Sequence, residues 1–209
     1  MSPPIDSAAR LVELIRRKAP EYLDLLTAST DEEFDAAFEA LLGPAIAHLE
    51  TNKLNYMELD EEGLSAVLCA SLSIPGLAVS QEKHSNGHVD LTIEAEHCVP
   101  VRRKLGEAKI YNGPVYHIGG LVQLLQRYAT GREGRGILIA YVRKKNIAGL
   151  LAKIREQMNA ELPCDQQGET TDHLHKWSFL SKHAHHSGVH LQVSHVGCNL
   201  FVERGSSTT

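Results

Sequence analysis

A chain of 209 residues, 43% hydrophobic and 22% charged, can bury one sizeable core and is too balanced in composition for a disordered or fibrous segment. A net charge of −5 argues against a uniformly basic coat for nucleic acid, and no apolar run approaches membrane-spanning length. The first six residues, Met1 to Asp6, carry neither a basic n-region nor an apolar h-region, so a cytoplasmic protein without a secretory signal is expected. Cys69, Cys98, Cys164 and Cys198 are scattered without a CxxC pair and predict reduced thiols.

In chain order, residues 5–27 show helical spacing through Ala8, Leu11, Leu14, Ile15, Ala19, Tyr22 and Leu25. Thr30 followed by Glu33 fits a capping box, opening a second helix to about Leu49. Its buried stripe would be Phe34, Phe38, Leu41, Leu42, Ile46 and Leu49. Residues 1–53 thus read as an acidic helical extension, a packing unit or else a surface for a partner protein or a second copy. A third helix is predicted from near Asp60 to about Leu72. Strands follow over 77–81, 89–95 and 101–110, then a helix over 116–128 and a continuous apolar strand over 136–142. Another helix spans 147–158, and 177–202 reads as strands and turns. A strand-helix-strand crossover between residues 107 and 137 implies a parallel pair. The expectation is an α/β fold: a mixed central sheet flanked by helices, with an αβββαβ core in residues 54–209.

The chemistry concentrates in two of these strands. Asp90 stands in Gly87-His88-Val89-Asp90-Leu91-Thr92-Ile93, and Glu107-Ala108-Lys109 ends the strand after it. Period-two geometry puts Asp90, Thr92 and Glu94 on one face, and Leu105, Glu107 and Lys109 on one face of the next strand. Antiparallel pairing would bring Asp90 near Glu107 and Lys109. The plain alternative is a solvated strand face with a cross-strand Glu–Lys pair. Hard carboxylate oxygens suit Mg²⁺, and a neighbouring lysine can hold a water or offset charge on a phosphate.

Acid, then acid-any-lysine, in this order of elements resembles the PD-(D/E)xK nuclease superfamily, which has the restriction-endonuclease-like fold. The resemblance covers residues 54–145. It implies Mg²⁺- or Mn²⁺-dependent phosphodiester hydrolysis, most directly a DNA endonuclease such as serves in bacterial antiviral defence. Asp90, Glu107 and the Ala108 carbonyl would hold metal, and Lys109 would position the attacking water. A glutamate from the preceding helix often joins such sites; Glu61 is the first choice, with Glu58 and Glu62 as rivals. Gln123 to Tyr128 is similar to the glutamine-to-tyrosine segment of exonuclease-like branches, one residue longer than is usual there. Gln123 would hold a nucleotide or orient the lysine, and Arg127 would reach a phosphate. The competing reading is a non-catalytic or partner-activated nucleic-acid-binding subunit of the same fold.

Charge is split along the chain. Residues 1–62 hold 5 Lys/Arg against 14 Asp/Glu, whereas residues 100–155 hold 12 against 2. Arg102, Arg103, Lys104, Arg132, Arg135, Arg143, Lys144 and Lys145 are therefore expected to line a phosphate track. Seven of the twelve histidines lie between residues 173 and 195. With Cys164 and Cys198 nearby they make a zinc-dependent interaction module conceivable, although the spacing matches no finger and HExxH does not occur. His84 and His88 are better placed to touch substrate, and His117 to cap or pack its helix. Gln81-Glu82 fits an exposed strand end. No GxSxG, P-loop or GxGxxG is present, which removes the common hydrolase, kinase and dinucleotide readings.

Overall fold

The computed structural model describes residues 7–81 and 90–203. The helix predicted over residues 5–27 is two helices, α1 (Ala8–Lys18) and α2 (Pro20–Thr27). Pro20 has no backbone N–H to continue the ladder, so it ends one helix and sits at the first position of the next. In α3 (Asp31–Thr51) the capping box is complete, the Thr30 side chain accepting from the Glu33 amide and Glu33 reaching back to the Thr30 amide. Helix α4 (Glu61–Leu72) starts on Asp60, whose carboxylate accepts from Gly63 N at 2.8 Å.

The sheet contains β1 (Ala78–Ser80), β2 (Leu91–Ala95), β3 (Arg102–Ile110), β4 (Gly136–Val142), β5 (Thr171–Asp172), β6 (Ser178–Ala184) and β7 (His190–Asn199). Their spatial order is β1-β2-β3-β4-β7-β6-β5. β3, β4 and β7 run parallel, and the pairs on either side of them are antiparallel. The architecture is α/β, with a seven-stranded mixed sheet. Between β3 and β4 lie α5 (Pro114–Val122) and a π-helical segment, Gln123–Tyr128; α6 (Ile147–Glu161) follows β4.

Two apolar cores lie against the sheet. α2, α3 and α4 pack with Leu91, Ile93, Ala108, Ile139 and Tyr141 in one, while α5, α6 and the π-helical segment pack with Leu105, Leu138 and Ala140 in the other. The first core contains Phe34, Phe38, Leu42 and Leu49. The segment expected to be an extension, residues 1–53, therefore supplies one covering layer of the sheet, apart from α1, which has no buried residue. No helix among the described residues is long and apolar enough to cross a membrane.

The charge split along the chain has the same origin. Lys104 is fully buried and paired with Asp35 of α3, beneath the rings of Phe34 and Phe38. Arg102 pairs with Asp31, and Arg135 lies 3.7 Å from Asp35 and 3.9 Å from Glu39. Acids of α3 thus face bases of β3 and the β4 entrance. Arg103 pairs with Glu94 across β2. The expectation that Arg102 and Lys104 line a phosphate track is corrected accordingly, because a charge taken out of water must be paired inside the fold, whereas Arg103 stays exposed beside Glu94.

Replacing Lys104 with Ala leaves Asp35 without its partner and is expected to cost about 3–5 kcal/mol of stability in urea unfolding. A loss below about 1 kcal/mol would show that the pair does not hold α3 on the sheet.

Candidate metal centre

β3 is longer than the strand beside it. The β2 pairing begins at Leu91 opposite Gly106, so residues 107–110 of β3 run past the start of β2. On that edge the amides of Ala108 and Ile110 have no strand partner among the described residues, and a backbone N–H removed from water needs an acceptor. Carboxylates supply it. Ala108 N donates to Asp90 Oδ2 at 2.9 Å, and Ile110 N donates to Glu61 Oε2 at 2.7 Å. Asp90 directly precedes β2, and Glu61 is the first residue of α4, where the helix dipole favours an acid. A residue's amide and carbonyl point to the same edge of a strand, so the Ala108 carbonyl is directed toward the Asp90 side.

The odd-numbered residues carry the chemistry on the face toward α5. Lys109 Nζ lies 2.6 Å from Glu107 Oε1, 3.2 Å from Glu61 Oε1 and 3.9 Å from Asp90 Oδ2. All four residues singled out from the two strands and the preceding helix meet at one point. Glu107 is 1% exposed, and among the described residues its Oε2 has no hydrogen-bond partner. Burial raises the Glu107 carboxyl; the Lys109 hydrogen bond opposes this and the Asp90 charge adds to it, leaving the group at about 7. Burial alone would lower the Lys109 ammonium, but its hydrogen bond to Glu107 and the surrounding carboxylates push it up.

Gly120 lets α5 close over this pair. A Cβ there would stand 3.0 Å from Leu138 Cδ1, 3.2 Å from Lys109 Cγ and 3.5 Å from Glu107 Cγ, so any side chain would press on the stems of the pair and on Leu138. The glycine pair Gly119-Gly120 inside an apolar helix was the available signal for this contact, and the sequence reading did not use it. Gln123 is half-buried and opens the π-helical segment; Arg127 is exposed on its last turn. Ala129 N donates to Leu124 O at 3.0 Å, the five-residue step of a π-helix. Among the described residues neither Gln123 nor Arg127 bonds to the acidic group.

The other expected residues divide. Lys144 is exposed, with its ammonium 5.7 Å from the Tyr111 ring centroid, just past the carboxyl end of β3. Lys145 is exposed and 3.0 Å from Glu203. Arg143 is half-buried and turns inward, donating to the carbonyls of Tyr56 and Leu59, which corrects its expected place on the track. Arg132 is exposed. Glu58 and Glu62 form no contact with Lys109. His84, His88 and Glu82 lie outside the described residues.

His117 neither caps its helix nor stands alone. Its Nε2 is 2.9 Å from His195 Nδ1; His195 Nε2 is 2.8 Å from Ser181 Oγ, which is 2.7 Å from His183 Nε2. His183 Nδ1 is 3.0 Å from Cys164 O. A carbonyl only accepts, so His183 must carry its proton on Nδ1. With all rings neutral, the sense of every bond then follows: His117 donates to His195, His195 to Ser181, Ser181 to His183. Burial favours the neutral rings, lowering His117 to about 3 and depressing His183 and His195 as well. This chain fastens α5 to β6 and β7. Sequence spacing offered no route to it, since the partners come from three elements.

No protein-family model, curated protein or solved structure matches this chain.

A histidine whose folded-state pKa lies below its unfolded value loses stability as pH falls between the two. Urea unfolding is therefore expected to be flat in pH above about 6.5 and to weaken below it, by about tenfold in the folding constant per pH unit for each buried ring. Glu107 acts in the opposite direction between about 4.5 and 7, so the profile should be read in Glu107→Gln. A profile flat down to pH 4 would show that the histidine chain is not intact.

Proposed function

We propose that this protein is a divalent-metal-dependent nuclease that hydrolyses phosphodiester bonds, with DNA as the first substrate to test. The observation that carries the reading is the convergence of Glu61, Asp90 and Glu107 on Lys109, the acid-acid-lysine set at the end of paired strands that resembles the PD-(D/E)xK site. Two further features support it. The order of helices and strands around the site is αβββαβ, and the site lies toward the carboxyl ends of parallel strands, the usual position for ligands in open α/β sheets. The Gln123–Tyr128 segment, one residue longer than usual in the resembling branches, is π-helical, and a π-turn takes up one more residue than an α-turn.

The donor set fits Mg²⁺ or Mn²⁺. Three carboxylates and one lysine leave a negative excess when ionised, all ligand atoms are oxygens, and the buried Glu107 Oε2 lacks a partner among the described residues. Asp90, Glu107 and the Ala108 carbonyl would hold the ion, with Glu61 beside them. When bound, the ion supplies a water of lowered pKa and offsets charge at the scissile phosphate. Lys109 keeps its proton because the carboxylates surround it, so it acts as a hydrogen-bond donor that holds the attacking water or a phosphate oxygen. Glu61 and Asp90 are held against the β3 backbone, which fixes their orientation before substrate arrives. Lys144, Arg127 and Arg132 are the exposed cations of the expected set without an ion-pair partner among the described residues, and they are assigned the phosphate contacts.

Asp90→Asn and Glu61→Gln keep an oxygen to accept the edge amides but remove the charge. Each is expected to reduce plasmid cleavage in Mg²⁺ by about 100-fold or more while shifting Tm by only a degree or two. Lys109→Met should reduce cleavage likewise, with a larger loss of Tm because Glu107 is left buried without its partner. Cleavage unchanged in all three, or absent from the wild type in Mg²⁺ and Mn²⁺ on both DNA and RNA, would sink the nuclease reading.

Because Glu107 must be ionised to bind metal and its pKa is near 7, protons compete with the ion below that pH. Calorimetric Mn²⁺ affinity is expected to rise toward tenfold per pH unit up to about 7 and to level off above it. A pH-independent affinity would mean that Glu107 is not a ligand.

A further inference from the structure

A second group of potential ligands lies at the amino end of β4, away from the acidic centre. Glu39, in the middle of α3, is 1% exposed. His173 Nε2 lies 3.2 Å from Glu39 Oε1, and His175 Nε2 lies 3.1 Å from Glu39 Oε2. The ligand atoms of the three residues all fall within 4.8 Å of one another. The distances suit hydrogen bonds, yet Glu39 Oε2 and His173 Nε2 form none among the described residues. Their directions miss each other while their positions converge. Two ligands about 2.0–2.1 Å from a tetrahedral ion stand about 3.4 Å apart, close to what is seen here.

We propose that Glu39, His173 and His175 form a cation site for a divalent transition ion of the zinc class, which ties the segment after β5 to α3. Two imidazoles and one carboxylate are borderline ligands that favour such an ion over Mg²⁺ or Ca²⁺. The surroundings are built for the approach. Gly43, one turn along α3 from Glu39, would place a Cβ 3.0 Å from His175 Cε1, so the glycine lets that ring lie close against the helix. Ser194 Oγ donates to Glu39 Oε1 at 3.1 Å and orients the carboxylate, as outer partners do in metal sites.

The cysteines considered from the sequence take no part, since Cys164 and Cys198 are not in this cluster. Asp35 and Glu39 offset Lys104 and Arg135, so a dication adds net positive charge and the affinity is moderate rather than that of a four-cysteine site. In the metal-free geometry the His175 amide donates to His173 Nδ1 at 3.1 Å, and His175 Nε2 lies 3.1 Å from the Glu39 carbonyl. Both histidines therefore carry a proton on Nε2. Ligation of the ion through Nε2 would move the proton of each imidazole from Nε2 to Nδ1, release the His175 bond to the Glu39 carbonyl and turn the His175 amide away. Leu174 between them is 70% exposed, so this turn has room to move.

The test is Zn²⁺ titration by calorimetry into the full chain after dialysis against a chelator, with a thermal melt of each sample. One Zn²⁺ per chain and a raised Tm are expected, with Glu39→Gln and His175→Gln each weakening the affinity by about tenfold or more. His175 lies at the edge of the cluster, so its variant is expected to keep the wild-type circular dichroism and to test the ligand without unfolding the protein. Asp90→Asn should leave Zn²⁺ binding unchanged, which separates this site from the proposed nuclease centre whether or not that centre is active. No Zn²⁺ binding by the wild type, binding that survives both Glu39→Gln and His175→Gln, or binding lost in Asp90→Asn would overturn the proposal.

Discussion

The unequal lengths of β2 and β3 govern the acidic centre. Where β2 begins, β3 has four more residues to run, and among the described residues the amides of Ala108 and Ile110 have no strand partner on that edge. Asp90 and Glu61 satisfy them. Each carboxylate is thereby held by the backbone and spends one oxygen on it, and the same alternation sends Glu107 and Lys109 to the face beneath α5. Three acids collected this way repel one another. Lys109 offsets part of the repulsion, and desolvation of Glu107 expresses the rest as a carboxyl near neutrality.

Close packing above the centre depends on what is missing from α5. With Gly120 against Leu138, Lys109 and Glu107, the helix excludes water from the stems of the pair and leaves their charged ends toward Glu61 and Asp90. The histidine chain from His117 through His195, Ser181 and His183 then anchors the same helix to the far side of the sheet. Its members are neutral and directional. Protonating His195 or His183 turns the nitrogen that accepts from its neighbour into a donor, so the chain makes the position of α5 sensitive to acid.

A different logic governs the opposite layer. There α3 brings Asp31, Asp35 and Glu39 against Arg102, Lys104 and Arg135, so charges far apart in sequence neutralise one another, all but Asp31 in a poorly hydrated place. Removing one partner from such a set costs more than the set contributes as a whole, because the survivor is left buried and unpaired. The acidic first third and the basic middle of the chain therefore meet inside the fold. Part of each cancels at the seam between α3 and β3.

Local rules were enough to read several features from the chain alone. The capping box of Thr30 and Glu33, the alternation that puts Glu107 and Lys109 on one face, and the buried run of β4 each depend on residues within a few positions. Even the choice of Glu61 rested on the short helix it begins. Pro20 was equally legible and was passed over, so one predicted helix became two. Tertiary structure alone decided the register that sets Leu91 opposite Gly106, and with it which backbone amides the acids must satisfy. It also decided that Lys104 is buried while Lys144 is exposed, although the two side chains are chemically identical. Whether a charge meets water or a counter-ion depends on what packs against it, and for Lys104 that is Asp35, 69 positions away.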